Sequence, residues 1–309
     1  MSRVAVLTVT HDSAAVIDAW CAGIEALKAS DLVDVECVVV DQASDDGTPD
    51  RVRGATLVRN ATNSGFAQGC VDAIAALRER SEHLLFLNPD VVIEPAALAA
   101  LVAALAQDPR LAAVTPLVRG AEGSTRVPAR PAYARADAWS FLTGSRRLRQ
   151  RRLDTSAHTP SNTPVRDAYL EGSCMLVRRS AYEAVGGFDP RFFVYFEDAD
   201  LCRRLADAGG SLALVPTAIA TEAATKGSRA TRESSPQAED LARYLLFLEA
   251  ETTYFAKWYG LDFARFAAWL RRVLGLRLQR SRLIERFGSA SAIDTCAERL
   301  ATSAARLRR

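Results

Sequence analysis

Short apolar runs alternate with longer segments of helical spacing over the first 118 residues. The runs VAVLTVT, VECVVV, ATLV, HLLFL and LAAVTPLV are aliphatic, and polar turns bound them, which predicts buried parallel strands. Between them, SAAVIDAWCAGIEAL, GFAQGCVDAIAALRER and EPAALAALVAALAQ repeat apolar residues three and four positions apart, which predicts helices. This alternation predicts an α/β fold with an open, mainly parallel sheet flanked by helices.

The pattern changes between residues 120 and 165, where Pro, Gly, Ser and Arg interrupt the apolar spacing. We interpret this part as a long connection with room for a short helix. Beyond it, the pattern predicts a helix near Ala199–Ala208, a strand at SLALVP, and helices over Ala238–Trp258 and Asp262–Phe287. The chain is therefore divided into one domain and a helical appendage, with these ranges: 1–235, made of 1–119, a variable loop 120–165 and 166–235, and then 236–309.

The composition fits a large globular domain, because 49% of the 309 residues are hydrophobic and 25% are charged. The net charge of +2 selects no class of partner, but the basic surplus is C-terminal. Eleven arginines follow residue 262 (265, 271, 272, 277, 280, 282, 286, 299, 306, 308 and 309). Either this region is a basic amphipathic helix on an anionic membrane, or it packs on the domain or on a second subunit with its arginines in solvent.

The six cysteines show no C-x-x-C spacing, which argues against a zinc site or a disulfide framework and favours a reducing compartment. The N-terminus lacks the apolar core of a signal peptide, and no run of about 18 apolar residues predicts a membrane span. We expect a cytoplasmic protein, which would be peripheral on the inner face of the membrane if the arginine-rich region binds there. Nothing resembles a nucleic-acid recognition module.

Polar side chains follow three of the predicted strands, in THDSA, VDQASDDGT and FLNPDVVI. In open α/β sheets, ligands bind beyond the carboxyl ends of the strands. Taken singly, these residues also suit turns and caps. A second acidic group stands in FFVYFEDAD, where Glu197, Asp198 and Asp200 directly follow an apolar run. Neighbouring carboxylates and an apolar wall raise a carboxyl pKa, although the three residues also suit a helix N-terminus.

Taken together and in order, several segments resemble glycosyltransferase family 2, which has the GT-A fold. They are TVTHDS, VDQASDDGT, NSGFAQG, FLNPDVVI, GSCMLVRRSAYEAVGGFDPRFFVYFEDADLCRRLADAGG and ETTYFAKWYG. The resemblance covers about residues 3–119 and 168–260 and is closest to the bacterial rhamnosyltransferase-like branch, which builds cell-wall, O-antigen or related glycans. It implies a nucleotide-binding half in 1–119 and an acceptor and catalytic half in 166–235.

The resemblance implies transfer of a sugar from a nucleoside diphosphate donor to an acceptor hydroxyl, with inversion. The first guess for the donor is dTDP-rhamnose, carrying L-rhamnose. Asp198 would be the general base, and Glu197 would orient it or hydrogen-bond the acceptor. Asp90 would hold Mg²⁺ or Mn²⁺ on the diphosphate. Asp200 would cap the helix that begins there or form a salt bridge with Arg203 or Arg204.

The same resemblance assigns the donor-binding residues. Asp41 would meet the base or ribose, Asn88 would contact ribose or a metal-bound water, and the loop Asn63–Gly69 would approach the nucleotide with its backbone. The full donor-binding set is Thr10, His11, Asp41, Asn63, Gly65, Phe66, Asn88, Asp90, Gly172, Ser173 and Cys174. The segment Gly172–Cys174 would line the sugar pocket.

Two departures from the family pattern affect the prediction. Glu222 stands where a histidine ligand is expected, so it is either a second metal ligand beside Asp90 or an ordinary surface glutamate. Gln42 replaces the asparagine of the usual VDN. These departures leave a second hypothesis open, a catalytically degenerate GT-A-like protein that binds a nucleotide sugar or a partner enzyme. A nucleotidyltransferase would need a glycine-rich loop, which THDSAA does not supply.

The partners expected for the leading hypothesis follow from its chemistry. They are a nucleoside diphosphate sugar and a glycan, lipid-linked or small-molecule acceptor. Peripheral membrane contact through the arginine-rich C-terminus and a homodimer are left open, and no nucleic acid is expected.

Overall fold

The computed structural model describes residues 2–135, 137, 164–165, 168–223 and 236–307. The described residues form two compact units, whose bounds along the chain are as follows. The first comprises Met1–Ala132, Ser156–Pro190 and Asp198–Arg232, and the second comprises Tyr133–Thr155, Arg191–Glu197 and Glu233–Arg309. The segment Arg191–Glu197 thus groups with the C-terminal helices rather than with the sheet. Most of the variable loop predicted over 120–165 lies outside the described residues.

The first unit contains the sheet and the helices that flank it. Its strands are β1 (Arg3–Thr10), β2 (Asp34–Gln42), β3 (Thr56–Asn60), β4 (His83–Leu87), β5 (Val91–Ile93), β6 (Leu111–Arg119), β7 (Thr125–Arg126), β8 (Ala129–Pro131), β9 (Pro164–Val165), β10 (Ala168–Leu170), β11 (Cys174–Arg178) and β12 (Ser211–Glu222). Its helices are α1 (Ile17–Lys28), α2 (Thr48–Arg51), α3 (Phe66–Ala75), α4 (Pro95–Gln107), α5 (Arg179–Ala184) and α6 (Glu197–Asp207), of which the first residue, Glu197, belongs to the second unit.

The large sheet has the strand order β3-β2-β1-β4-β11-β6-β12-β5. The strands β3, β2, β1 and β4 are parallel, as the sequence predicts. Strand β11 then inserts antiparallel between β4 and β6, and β5 pairs antiparallel with the end of β12. The α/β prediction is therefore confirmed, and the structure refines it to a mixed sheet that is parallel in its N-terminal half.

Both faces of the sheet are covered, which explains why the predicted strands are continuously apolar. Along β1, Val4 and Val6 pack in one hydrophobic cluster with α1 and α4, while Ala5 and Leu7 pack in a second cluster with α3. This alternation follows from the two-residue period of a strand. The candidate site residues Asp41, Asn88 and Asp90 lie at or just beyond strand ends.

The second unit is helical. Its elements are α7 (Pro236–Tyr259), α8 (Leu261–Leu270), a π-helical turn (Arg271–Gly275), α9 (Leu276–Leu278), α10 (Arg280–Phe287) and α11 (Ser291–Arg306). A core that includes Leu248, Leu276, Phe287, Cys296 and Leu300 holds them together. Gly260, with φ of 89°, separates α7 from α8. Among the described residues, no helix combines the length and apolarity needed to span a bilayer.

Candidate active site

The loops after β1 and β2 are joined by side-chain hydrogen bonds. Thr10 Oγ1 and Ser44 Oγ donate to Asp41 Oδ1 at 2.9 and 2.5 Å, and the Ser44 amide donates to Oδ2 at 3.0 Å. Thr10 is fully buried, and Asp41 is 2% exposed. The structure thus gives Thr10 a role in holding Asp41. A direct contact between the Thr10 hydroxyl and a donor, as the sequence predicted, does not fit this burial.

Two residues of these loops have left-handed backbones, Asp12 with φ of 50° and Ala43 with φ of 53°. Such conformations are uncommon without glycine and cluster at functional sites. Asp12 Oδ1 accepts the Asp45 amide at 3.1 Å, which links the loops across. His11 Nδ1 lies 2.8 Å from the Gln42 carbonyl oxygen, so this nitrogen carries the proton. A donor contact by His11, which stays a prediction, would therefore have to use Nε2 on the other side of the ring.

Gln42 connects the end of β2 to the loop Asn63–Gly69. Its Nε2 donates to the Gly65 carbonyl at 3.0 Å, and its Oε1 accepts from the Ser64 amide at 3.0 Å. Asn63 Oδ1 accepts the Gly65 amide at 2.9 Å within the same loop. A Cβ at Gly69 would lie 2.6 Å from Gln42 Nε2, so glycine is required there. Gln42, which departs from the family pattern, thus hydrogen-bonds the predicted donor loop and positions it.

Gly172 lies beside both the predicted base and the predicted donor loop. Its amide donates to Asp198 Oδ2 at 3.1 Å. A Cβ built on Gly172 would be 3.6 Å from Asp198 Cβ and 3.9 Å from Phe66 Cε1. The structure therefore brings Gly172, Asp198 and Phe66 together at one place in the first unit.

Asp198 is only partly exposed, and burial raises the pKa of its carboxyl to about 6. Hydrogen bonds from the Gly172 and Ala199 amides oppose this shift, while the nearby negative charge of Glu171 adds to it. A carboxylate with this pKa is mostly ionised at pH 7 and still accepts a proton readily. Asp200, by contrast, is fully buried and binds Arg204 at 2.9 Å, as one of the two predicted salt bridges.

The apolar run before Asp198 packs as an aromatic cluster of the second unit. The Phe196 ring centroid lies 4.5 Å from Tyr133, 5.2 Å from Phe247 and 5.4 Å from Tyr254. Tyr195 and Phe196 have φ of 71° and 65°, so the backbone is left-handed at two successive residues before α6 begins at Glu197. Such a conformation stores strain at the turn that leads into Asp198. Glu197 itself is 7% exposed, and its predicted role in orienting the base stays a prediction.

Asn88 and Asp90 follow β4 and are fixed through their backbones. The Asn88 amide donates to the Ser173 carbonyl at 2.9 Å, and the Asp90 carbonyl accepts the Ala223 amide at 2.8 Å. The segment Gly172–Ser173 therefore hydrogen-bonds both Asp198 and Asn88. Through it, the predicted base and the predicted metal-binding turn are attached to the same two residues.

A charged cluster that the sequence did not predict lies next to these groups. Arg126 on β7 binds Glu222 at 3.2 Å and also binds Glu171, which binds Arg130 at 2.5 Å. Glu222 stands opposite Val91 in the β5–β12 ladder, so its strand adjoins Asp90. The position of Glu171, immediately before Gly172, is the one sequence signal that could have indicated this cluster.

The predicted metal site can be tested against these contacts. No group of three His, Cys, Asp or Glu side chains that could hold a metal occurs within the part of the chain that the structure describes. Mg²⁺ and Mn²⁺ are nevertheless commonly held by one or two carboxylates together with substrate phosphates. Asp90 and Glu222, on adjacent backbone segments, fit that smaller donor set. Ligation by Glu222 requires its ion pair with Arg126 to open.

One predicted contact needs correction in the sugar pocket. The Cys174 side chain is fully buried in the core beneath the sheet, where burial raises the pKa of its thiol to about 12. Its carbonyl accepts the Thr115 hydroxyl at 2.9 Å. Cys174 therefore cannot line the pocket with its thiol, because the inward side of β11 faces the core. Ser173, one residue earlier, is partly exposed, and its place in the sugar pocket stays a prediction.

The fold and the arrangement of these loops define a GT-A glycosyltransferase fold. The mannosyltransferase PcManGT from Pyrobaculum calidifontis, solved with GDP-Man and Mn²⁺, aligns over 98% of this chain and 86% of its own, with a TM-score of 0.53 and 20% identity. GalNAc-T7, solved with UDP, GalNAc and Mn²⁺, aligns over 91% of this chain and 58% of its own, with a TM-score of 0.52 and 14% identity. At these identities the likeness shows the fold alone, and it confirms the GT-A prediction.

The chain belongs to the family described as "Glycosyltransferase like family 2", whose profile matches residues 23–241. N-acetylglucosaminyl-diphospho-decaprenol L-rhamnosyltransferase of Mycobacterium tuberculosis is 35% identical over 206 residues, which are 60% of this chain and 65% of that protein. Rhamnosyltransferase WbbL of Escherichia coli is 52% identical over 48 residues, which are 16% of this chain and 18% of that protein. The similarity to the rhamnosyltransferase-like branch is confirmed, over less than two thirds of those relatives' lengths.

Proposed function

We propose that the protein transfers a sugar from a nucleoside diphosphate donor to an acceptor hydroxyl, with inversion at the anomeric carbon. The observation that carries this proposal is the segment Gly172–Ser173, which hydrogen-bonds Asp198 on one side and Asn88 on the other. An inverting transfer needs a base and a diphosphate-binding group held in a fixed relation. A shared two-residue segment is suited to hold them so.

Asp198 is the proposed general base. Its Oδ2 accepts one amide and its Oδ1 another, and each oxygen keeps a lone pair for an acceptor hydroxyl. These amides fix the orientation of the carboxylate, and its pKa of about 6 suits a base that works near neutral pH. Glu197 is proposed to orient the acceptor or the base from the preceding position.

The donor is proposed to lie across the loops after β1, β2 and β4. Asp41, held by Thr10 and Ser44, would contact the base or ribose through an edge of its carboxylate. His11 would contribute its Nε2 edge, which lies 3.8 Å from Asp12 Oδ2. The Gln42 contact would keep the loop Asn63–Gly69 and Phe66 in place against the nucleotide. Asp90, with Glu222 once it is released from Arg126, would hold Mg²⁺ or Mn²⁺. Such an ion neutralises the charge of a leaving diphosphate.

We propose L-rhamnose as the transferred sugar, dTDP-rhamnose as its donor, and a lipid-linked or other glycan as its acceptor. The support is the identity of 35% to a mycobacterial rhamnosyltransferase whose acceptor is a diphospho-decaprenol lipid. A role in cell-wall or polysaccharide synthesis and a cytoplasmic location belong to the same proposal. The site loops fall within the matched family region, residues 23–241, except those after β1.

One contact favours the alternative of a degenerate, nucleotide-sugar-binding protein. Glu222 replaces the expected histidine and is bound by Arg126, so the second metal ligand is engaged within the protein. A chain that bound the nucleotide but could not recruit the ion would bind donor without turnover. The two candidates therefore differ in catalysis and agree in binding.

A donor panel tests the proposal. The protein is incubated with dTDP-rhamnose, UDP-sugars and GDP-mannose, each with Mn²⁺, Mg²⁺ or EDTA, and with a polyprenyl-diphosphate N-acetylglucosamine acceptor. We expect dTDP release and a rhamnosylated product of inverted configuration by NMR, both lost with EDTA. Thermal stabilisation by a nucleotide sugar without transfer from any donor would favour the degenerate protein. Absence of any stabilisation or product would contradict both.

A further inference from the structure

Large apolar side chains are exposed along one short segment of the second unit. Phe266 is 45% exposed, Trp269 55%, Leu274 46% and Leu278 67%. These four lie within thirteen consecutive residues, and the rings of Phe266 and Trp269 stack with centroids 6.2 Å apart. Scattered apolar side chains on a surface are ordinary, whereas a contiguous group marks an interaction site. We call these four residues the apolar stripe.

The π-helical turn Arg271–Gly275 aligns the stripe. At about 100° per residue in an uninterrupted α-helix, Leu274 and Leu278 would be rotated about 140° and 180° from Trp269, on the opposite side. A π-turn takes up one extra residue, which turns both back by about 100°, to about 40° and 80°. Phe266 lies at about 60° on the same side. The π-helical turn therefore places the four residues on one face, whereas a regular α-helix would have separated them.

The opposite face of this segment is anchored in the second unit. Ala268, Leu270 and Leu276 are buried, and Arg271 is buried in an ion pair with Glu251. The stripe is thus the outward side of a packed helix, with its exposure fixed by the residues that face inward. Burying the stripe against the helix's own core would require breaking that ion pair.

The charges around the stripe have one sign. The eighteen residues from Arg265 to Arg282 include six arginines and no Asp or Glu. Arg272, Arg277, Arg280 and Arg282 are exposed, and the structure gives them no carboxylate partner among the described residues. Other arginines of the same unit do have such partners, namely Arg271 with Glu251, Arg286 with Asp240 and Arg299 with Glu249. The unpaired arginines are therefore available to anionic groups outside the chain.

We propose that the apolar stripe and its flanking arginines dock the protein on an anionic lipid surface. Aromatic and leucine side chains on one helix face insert at the headgroup level, and arginines beside them bind lipid phosphates. A protein partner would need matching carboxylates as well as an apolar groove, whereas an anionic bilayer offers both features at once. The inference concerns binding alone and goes beyond the proposed catalytic function, because neither donor nor acceptor is required for it.

Vesicle flotation of the full chain, without donor or acceptor, tests this proposal. The vesicles are phosphatidylglycerol mixed with phosphatidylcholine, compared with pure phosphatidylcholine. We expect binding to the anionic vesicles that weakens with salt. The triple variant Arg277→Gln, Arg280→Gln, Arg282→Gln should lower partitioning about 100-fold, because each arginine near the surface contributes about fivefold. Trp269→Ser with Leu278→Ser should lower partitioning on the order of tenfold or more.

Matched controls use exposed residues elsewhere. Leu32→Ser removes an apolar side chain that is 57% exposed, and Arg78→Gln removes an exposed arginine, so both should leave partitioning unchanged. Trp269 emission should shift to the blue on binding, and Trp269→Phe should remove that shift while binding remains. Equal flotation of the stripe variants and the parent protein, or no flotation at all, would overturn the proposal. So would a concentration-dependent dimer that the Trp269→Ser, Leu278→Ser variant dissociates, since the stripe would then be a subunit contact.

Discussion

Two arginines, Arg126 in the first unit and Arg271 in the second, both bind carboxylates but differ in their surroundings. Arg271 is 6% exposed and pairs with the buried Glu251, with the Tyr244 hydroxyl 3.2 Å from Nη2. The Arg126 side chain is 34% exposed and is shared between Glu171 and Glu222. The first arrangement is closed within the helical core. The second remains accessible beside the candidate site.

The difference in exposure distinguishes a buried, structural ion pair from an ion pair that a ligand can reach. In the buried pair only the protein supplies the opposite charge, so removing one partner leaves an uncompensated buried ion. In the Arg126 cluster, the proposed function would let a diphosphate pair with the guanidinium and a cation pair with a carboxylate. Exposure and the number of partners thus distinguish the two roles better than the length of any hydrogen bond.

The largest effect is expected from Asp198→Asn, which tests whether the Arg126 cluster lies beside a catalytic carboxylate. The amide cannot take a proton, so kcat should fall by about 10²–10⁴, with donor binding retained. Steady-state transfer and donor titration measure the two quantities. Asp200→Asn is the matched control on the same helix, because Asp200 binds Arg204 instead. It should lower thermal stability and leave kcat nearly unchanged. Unchanged turnover in Asp198→Asn would remove Asp198 as the base.

Arg271→Met tests the closed pair. It leaves Glu251 buried without its partner, so the free energy of unfolding should fall by about 3–5 kcal/mol. Urea denaturation followed by fluorescence measures it, and kcat of the folded fraction should not change. The double variant Glu251→Met, Arg271→Met should recover most of the loss, because no buried charge remains. A double variant as unstable as Arg271→Met would show that packing, and not charge, dominates there.

The pattern of apolar residues alone predicted the strands and helices that are buried evenly along their length. HLLFL became β4 with the predicted bounds, and the first two strands and α4 followed closely, since burial on both faces makes such strands continuously apolar. The antiparallel insertion of β11 was not predicted, because strand order depends on contacts distant in sequence. The strands β7 and β8 replaced what the sequence indicated as an irregular connection.

The candidate site divides in the same way. Asp198 and Gly172 were predicted from a local motif, and the structure places them in hydrogen-bond contact. Arg126 was not predicted, since its partners lie 45 and 96 residues away and no local spacing links them. Cys174 was assigned to the pocket because the family resemblance covers the whole segment Gly172–Cys174. That resemblance does not say which side chain of the segment is buried, and the Cys174 side chain packs in the core.

Gln42→Asn tests whether donor binding depends on the hydrogen bonds that hold the loop Asn63–Gly69 in the first unit. The side chain is one methylene shorter and loses its bonds to the Ser64 amide and the Gly65 carbonyl. At about 1 kcal/mol net for each of these two bonds, the donor KM should rise about 30-fold while kcat changes little. Gln107→Asn, which shortens an exposed glutamine at the end of α4, serves as the control. An unchanged KM would mean that the loop does not depend on Gln42.

The smallest effect concerns the charge that Arg126 shares with its neighbours. Because burial raises the pKa of Asp198 to about 6 and the base must be ionised, kcat/KM should be constant above that pH and fall about tenfold per unit below it. Glu171 adds to the rise, so Glu171→Gln should move this acid limb to lower pH. Glu25→Gln, on the exposed side of α1, should leave the limb in place. A limb that stayed in place or moved to higher pH in Glu171→Gln would show that the charge of Glu171 does not act on Asp198.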